Sequence, residues 1–165
     1  MVETTLEIPS GVTLTVEKDS FTVNGPKGKV TNKFKDVILA QDSGKVKLSG
    51  ASKTMVNTME ALVKTAIKGV SEGYTIRLQM VYAHFPFTLE QKGDVMLIKN
   101  FLGEKNSRKA GIVGDTKVKV EKEFIVVTGP DKYAVGQTAA NLKSATHVKE
   151  KDPRVFQDGI YNPIQ

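Results

Sequence analysis

The chain repeats a short segment of its own sequence. Residues 14–28 read LTVEKDSFTVNGPKG and residues 118–132 read VKVEKEFIVVTGPDK, so the two segments align at a constant offset of 104. Six of the fifteen aligned positions are identical, including a Gly-Pro pair near the end of each copy. A repeat of this kind indicates two copies of one small structural module.

Both copies show the alternation that is typical of half-buried strands. Val12, Leu14 and Val16, at the start of the first copy, are spaced by two, and Phe21 and Val23 resume this alternation after a polar break, which predicts a β-hairpin. Glycine tolerates unusual torsions and proline fixes one, so each Gly-Pro pair predicts a structural turn. The four turn residues are Gly25, Pro26, Gly129 and Pro130.

One helix is predicted in each half of the chain. Ser52 can cap a helix in which apolar residues, from Met55 to Val70, recur at intervals of three and four. Asp131 can cap a second helix that runs to about Thr146, with Val135, Ala139 and Leu142 on its buried face. Outside the helices the sequence predicts a turn at 41–44, a basic loop at 103–114 and strands at 12–16, 21–23, 33–39, 45–48, 74–82, 87–91, 95–101, 116–120 and 124–128. We expect three parts: an N-terminal α+β module at 1–82, a C-terminal α+β module at 83–147 and an extended tail at 148–165.

The charge is positive and uneven. Lysine and arginine number 24 against 18 acidic residues, a net charge of +6, which attracts phosphate-rich partners. Residues 26–53 hold seven lysines against two aspartates, and a second basic cluster at 99–109 includes Arg108 and Lys109. These clusters are candidate RNA-facing patches. Lysines at the edges of sheets also block unwanted strand pairing, and that alternative stays open for the first cluster.

Signatures of catalysis and of cofactor binding are absent from the sequence. There is no cysteine, and the two histidines, His84 and His147, have no ligand set with metal-binding spacing. No glycine-rich nucleotide motif and no serine nucleophile elbow is present. We therefore expect no catalytic residues, no metal, no cofactor and no small-molecule substrate. No signal peptide or apolar span is visible, so we also expect no membrane contact and a cytoplasmic location.

The C-terminal tail has neither helical nor alternating periodicity. Lys149, Lys151 and Arg154 can contact phosphates, whereas Phe156 and Tyr161 can stack on bases. The same two aromatic residues can instead anchor the tail to its own module. The tail is therefore a candidate RNA contact.

Four segments, in their order along the chain, carry a family resemblance. They are NGPKG at 24–28, YAHFP at 82–86, TGPDKYAVGQTAANL at 128–142 and VKEKDPRVFQDGIY at 148–161. The chain resembles, over its full length, the universal large-subunit ribosomal protein family six in its archaeal and eukaryotic form. The resemblance implies an α+β fold of two tandem modules of similar topology, each an antiparallel sheet with one helix packed on a face, plus an extended C-terminal tail.

The resemblance also implies a function. Family members are structural constituents of the large ribosomal subunit that bind 23S-type RNA near the factor-binding region and the sarcin–ricin loop. The implied partners are this RNA, neighbouring ribosomal proteins and, by proximity, translation factors. The implied contacts are Lys132, Lys151, Arg154, Phe156 and Tyr161, and the NPIQ end offers no basic residue. An RNA-binding regulator or chaperone outside the ribosome is the alternative.

Overall fold

The structure, a computed structural model, describes residues 2–35, 37–42 and 44–163. Asp36 in the predicted strand at 33–39, Ser43 in the predicted turn at 41–44, Met1 and the last two residues of the predicted tail lie outside the described residues. The chain divides into two units. The first comprises Met1–Tyr74 with Pro130–Lys132, and the second comprises Thr75–Gly129 with Tyr133–Gln165.

Six strands and one helix form the first unit, as far as the structure describes it. They are β1 (Val2–Glu7), β2 (Thr13–Val16), β3 (Ser20–Gly25), β4 (Gly28–Lys33), β5 (Val37–Asp42), β6 (Lys45–Gly50) and α1 (Lys53–Ser71). The strands pair antiparallel into two sheets, with the orders β2-β3-β4 and β1-β6-β5. Both sheets and α1 contribute to one apolar core around Phe21, Val46 and Leu48.

The second unit also combines two antiparallel sheets with one α-helix. Its elements are β7 (Tyr74–Val81), β8 (Thr88–Lys92), β9 (Val95–Lys99), β10 (Arg108–Gly111), β11 (Lys117–Glu121), β12 (Phe124–Gly129), α2 (Lys132–Ala145) and β13 (Gly159–Tyr161). The terminal residues Tyr74 and Lys132 group with the first unit. The sheets have the orders β10-β9-β8 and β11-β12-β7-β13. The predicted α+β fold of two tandem modules is confirmed.

The sequence repeat is also a structural repeat. In the first copy β2 pairs with β3, and in the second β11 pairs with β12, both antiparallel. The register keeps the offset of 104: Leu14 opposite Val23 corresponds to Val118 opposite Val127. Because a one-residue slip would reverse every side chain, a shared register means that both hairpins bury equivalent positions.

Helix α1 buries a stripe that differs slightly from the predicted one. Its buried residues are Val56, Met59, Val63, Ala66, Gly69 and Val70. Met55 and Leu62, which the periodicity placed on the apolar face, are 37% and 39% exposed. The fully buried Val56 takes the place of Met55 at the start of the stripe. For α2, the predicted inward residues Val135, Ala139 and Leu142 are indeed buried.

One strand lies where the sequence predicted a loop, and the chain divides at another residue than the predicted one. The predicted loop at 103–114 contains β10, which pairs with β9 and buries only Ala110. A four-residue strand with one small apolar residue has no detectable alternation. At the predicted module boundary near residue 82, the structure instead divides after Tyr74, because β7 pairs with β13 within the second unit.

The two Gly-Pro turns serve different connections. Gly25 pairs with Gly28, so Pro26 and Lys27 form a tight hairpin turn between β3 and β4. Gly129 ends β12, and Pro130 lies in the link to α2. Neither Gly25 nor Gly129 has a positive φ. Glycine is needed at both positions because a larger residue would not fit. An added Cβ at Gly25 would lie 2.8 Å from the Val70 carbonyl oxygen, and one at Gly129 would lie 2.9 Å from Val135 Cγ2.

Replacing Gly25 by alanine should destabilise the protein by about 1–3 kcal/mol, because the methyl group would overlap the backbone of α1. Gly136→Ala is the matched control. Gly136 lies inside α2 with open space around it, so alanine there should stabilise the protein by up to about 1 kcal/mol. Thermal or urea unfolding measures both, and a Gly25→Ala variant as stable as the parent would contradict the close approach.

Candidate nucleic-acid interface

The C-terminal tail is fastened to the second unit rather than extended throughout. After α2 the chain runs without regular structure to Asp158 and then forms β13, which pairs antiparallel with β7. The backbone N–H of Ile160 donates to Thr146 Oγ1 at 3.0 Å, and Ile160 itself is buried. The predicted extended arm is therefore a loop closed by a short strand.

A buried carboxylate holds this loop at its C-terminal end. Asp158 is fully buried, and one of its oxygens accepts a hydrogen bond from His84 Nδ1 at 2.9 Å. The other oxygen accepts the backbone N–H groups of Ala83 and His84, both at 3.3 Å. Burial, the largest influence, would raise the pKa of Asp158, but these hydrogen bonds together outweigh it and lower that pKa.

Phe156 reinforces the same attachment. Its ring stacks on the His84 imidazole, with centroids 4.5 Å apart and planes 15° apart. Lys151 places its ammonium group 4.9 Å from the centre of the Phe156 ring. The structure therefore gives Phe156 a contact within its own unit, the alternative that the sequence left open for the tail aromatics.

Arg108 binds the other end of the loop. Its guanidinium forms two hydrogen bonds with Glu104, at 2.9 and 2.6 Å. It also donates to the carbonyl oxygens of Ala145 and His147, and it lies over the Phe101 ring. Carbonyls at the end of a helix lack intrahelical partners, so Arg108 caps α2. The hydrogen bond with Arg108 lowers the pKa of Glu104.

Three tail cations lie between these two attachments. Lys149, Lys151 and Arg154 are all exposed, and the Arg154 side chain is 89% exposed. Asp152 accepts hydrogen bonds from the backbone N–H and from Nε of Arg154, which lower the pKa of its carboxyl group. The loop is thus held at both ends while its cationic side chains face solvent.

A cavity of about 250 Å³ lies beside this loop. It is lined by Lys143, Thr146, His147, Val148, Pro153, Phe156, Ile160 and Tyr161. Tyr161 is 47% exposed, and its ring lies close enough to Gly159 that an added Cβ there would be 3.2 Å away. The sequence offered no sign that Lys143, on α2, would share a concavity with the tail.

The remaining predicted contacts lie elsewhere. Lys109 is exposed on β10, opposite Leu97 in the strand register. Lys132 is exposed at the first position of α2 and groups with the first unit. The structure thus gathers Lys149, Lys151 and Arg154 on one loop, whereas Arg108 is committed to contacts within the protein.

Within residues 2–35, 37–42 and 44–163, no group of three or more His, Asp or Glu residues could hold a metal ion. In the same residues no helix has the length and apolarity needed to cross a membrane. The interface therefore offers exposed cations, aromatic rings and backbone groups. Such groups position a protein on phosphates and on the shape of RNA.

Comparison with known proteins gives a consistent picture. Residues 88–159 match the family described as Ribosomal protein L6. The chain is 46% identical to the large ribosomal subunit protein uL6 of Methanosarcina mazei, over 95% of this chain and 93% of that protein. It is 43% identical to uL6 of Methanocella arvoryzae (94% and 93%) and 44% identical to uL6 of Archaeoglobus fulgidus (96% and 87%).

Arg108→Gln should lower the free energy of unfolding by about 2 kcal/mol, since it removes a charge-assisted pair and the cap of α2. Lys109→Gln is the control, because this neighbouring lysine is exposed on the same strand. The control should change stability by less than about 0.5 kcal/mol. Equal melting temperatures for the two variants would show that Arg108 has no structural role.

Asp158→Asn should loosen the tail. The folded-state pKa of Asp158 lies below its ordinary value of 3.8, so the ionised group stabilises the fold above that pH. This stabilisation is lost as the pH falls through the folded pKa. The free energy of unfolding of the variant at pH 7 should therefore be lower than that of the parent by about 1–3 kcal/mol. It should also change less than that of the parent as the pH is lowered.

Hydrogen exchange at the Ile160 amide reports how often the tail detaches from the second unit, because this N–H donates to Thr146 Oγ1. The exchange should be faster in Asp158→Asn than in the parent. Asp152→Asn is the control, since that carboxylate lies on the exposed part of the same loop. Unchanged exchange in Asp158→Asn, or equal effects of the two substitutions, would contradict the role given to Asp158.

Proposed function

Because this chain belongs to the uL6 family of large ribosomal subunit proteins, we propose that it binds large-subunit, 23S-type ribosomal RNA near the factor-binding region and the sarcin–ricin loop. The family is one of structural ribosomal proteins, not of enzymes. Its members work on the ribosome in the cytoplasm, with ribosomal RNA and other ribosomal proteins as partners. Proximity to translation factors is part of the proposal.

The observation that carries the proposal is the attached tail loop. Lys149, Lys151 and Arg154 are exposed on a segment fixed by Asp158 at one end and by Arg108 at the other. Fixing the loop before binding reduces the conformational entropy that binding would otherwise cost. Cations held in this way suit a folded phosphate surface better than a mobile arm would.

The kind of contact follows from the side chains available. The chain has 21 lysines and three arginines. Of the arginines, Arg108 caps α2 and Arg77 lies 5.1 Å from the centre of the Phe124 ring. Arg154 therefore remains as the exposed guanidinium of the tail loop. Most contacts should be point-charge contacts between lysine and phosphate, with few bidentate forks.

Contacts of this kind make binding depend on salt. If about six phosphates are neutralised, log affinity should fall with log salt concentration with a slope of roughly −4 to −5, between the limits for single strands and duplexes. Docking would be specified by the shape of the folded RNA rather than by base edges. Lys132 on α2 and the exposed Tyr161 on β13 are proposed as additional contacts.

The double substitution Lys151→Gln and Arg154→Gln should weaken binding to large-subunit RNA and reduce the salt slope by about 1.4–1.8. The melting temperature should change little, because both side chains are exposed. The control removes two exposed lysines that lie outside the tail loop, Lys64 on α1 and Lys119 on β11. Filter binding across a salt series measures both variants.

Two results would contradict the proposal. One is an equal change of slope in the tail variant and its control. The other is the absence of the protein from large-subunit particles sedimented at low salt, with crosslinks to transcripts other than ribosomal RNA. That second result would favour an RNA-binding regulator or chaperone outside the ribosome.

A further inference from the structure

The outer face of the β2-β3-β4 sheet has an unusual composition. Residues directly opposite each other in antiparallel strands point to the same side, so the register defines three cross-strand rows on this face. The rows are Thr13, Asn24 and Lys29; Thr15, Thr22 and Thr31; and Glu17, Ser20 and Lys33. We call this surface the hydroxyl face. It carries neutral hydrogen-bonding groups, two lysines and one carboxylate at its end.

The lysines of the hydroxyl face are exposed to solvent. Lys29 and Lys33 are exposed, as is Lys27 in the adjoining hairpin turn. Glu7, Glu90 and Glu121 form their ion pairs with other lysines, Lys45, Lys99 and Lys119. The carboxylate at the end of the face, Glu17, accepts a hydrogen bond from Ser20 Oγ at 3.1 Å.

The other sheet of the same unit provides a contrast. The outer rows of β1-β6-β5 are Glu3, Ser49 and Ile38; Thr5, Lys47 and Ala40; and Glu7, Lys45 and Asp42. Lys45 pairs with Glu7 at 3.2 Å. The lysine-rich stretch at 26–53 is therefore divided by the fold. Part of it lies on the hydroxyl face, and part lies on a sheet with three carboxylates.

The second copy of the hairpin shows that the fold does not demand hydroxyl groups here. At the offset of 104, the positions of Ser20 and Thr22 are occupied by Phe124 and Val126, in the same register. An apolar residue is thus compatible with this position of the hairpin. The polar character of the first copy therefore has another origin than strand formation.

Building on the RNA-binding function proposed above, we propose that the hydroxyl face is a second RNA-contacting surface, which docks across the minor groove of a double-helical segment of large-subunit RNA. The minor groove of an RNA helix is wide and shallow and displays 2′-hydroxyls between two rows of phosphates. Threonine, serine and asparagine side chains can exchange hydrogen bonds with these hydroxyls, while the lysines contact phosphates.

The spacing of the face suits this arrangement. Lys29 and Lys33 lie four residues apart on one strand, which separates their Cα atoms by about 13 Å along the strand. Thr31 lies between them and is exposed, as is Thr15 in the same row. Thr22 is buried between these two threonines, and its Oγ1 is 3.0 Å from Thr31 Oγ1, so Thr15 and Thr31 present the hydroxyls of the central row. Cations therefore lie at both ends of β4, with hydroxyl groups between them.

The competing explanation is protection of a sheet edge. β4 is an edge strand, and edge lysines deter pairing with a second chain. Edge protection needs charge alone. It requires neither the hydroxyl rows nor any preference of the protein for RNA over DNA. The two explanations therefore predict different results for the variants that follow.

The first test compares two double variants of the full chain, Lys29→Gln with Lys33→Gln and Lys45→Gln with Lys47→Gln. Both remove two lysines from strands of the same unit. With large-subunit ribosomal RNA as the probe, the first variant should reduce the salt slope by about 1.4–1.8. The second variant should leave the slope unchanged. Equal slopes, or association of the first variant into oligomers with an unchanged slope, would overturn the proposal.

The second test removes hydroxyls and keeps every charge. Thr15→Val with Thr31→Val should lower affinity for an RNA duplex by roughly fivefold or more, with little change for a DNA duplex of the same sequence. Equal changes for the two duplexes would also overturn the proposal. If the hydroxyl-face variants fail to show these effects, the result expected for the Lys151→Gln and Arg154→Gln variant is unaffected. If that tail variant fails to weaken RNA binding, the RNA-binding function itself is contradicted.

Discussion

The hydrogen bonds of the Asp158 carboxylate are the interaction on which the candidate interface depends. A charge removed from water is costly unless it is paired and hydrogen-bonded, and here the His84 ring and two backbone N–H groups supply those bonds. The same imidazole stacks on Phe156, so one residue outside the tail holds two residues within it. Without this attachment, the tail cations would have no fixed positions to offer.

The protein contains one hairpin twice, and the two copies have different surroundings. The register is unchanged at an offset of 104, but the first Gly-Pro pair closes a hairpin while the second leads toward α2. Close packing preserves both glycines, since Gly25 and Gly129 each lie against a neighbour that leaves no room for a side chain. Outer positions are free of that constraint and have diverged.

Local patterns predicted much of the fold, because alternation, helical periodicity and turn residues are properties of neighbouring residues. Both helices and the repeated hairpin were predicted for that reason. The role of Arg108 was not, because its carbonyl partners Ala145 and His147 lie 37 and 39 residues away in sequence. Strands β10 and β13 were missed because they are four and three residues long and need distant partners to form.

The central claim is that the tail loop faces ribosomal RNA. Val155, which is 57% exposed between Arg154 and Phe156, is a suitable position for a photo-crosslinking side chain. Assembled large subunits that contain this protein should yield crosslinks from position 155 to large-subunit RNA. Crosslinks confined to ribosomal proteins, with none to RNA, would contradict the account.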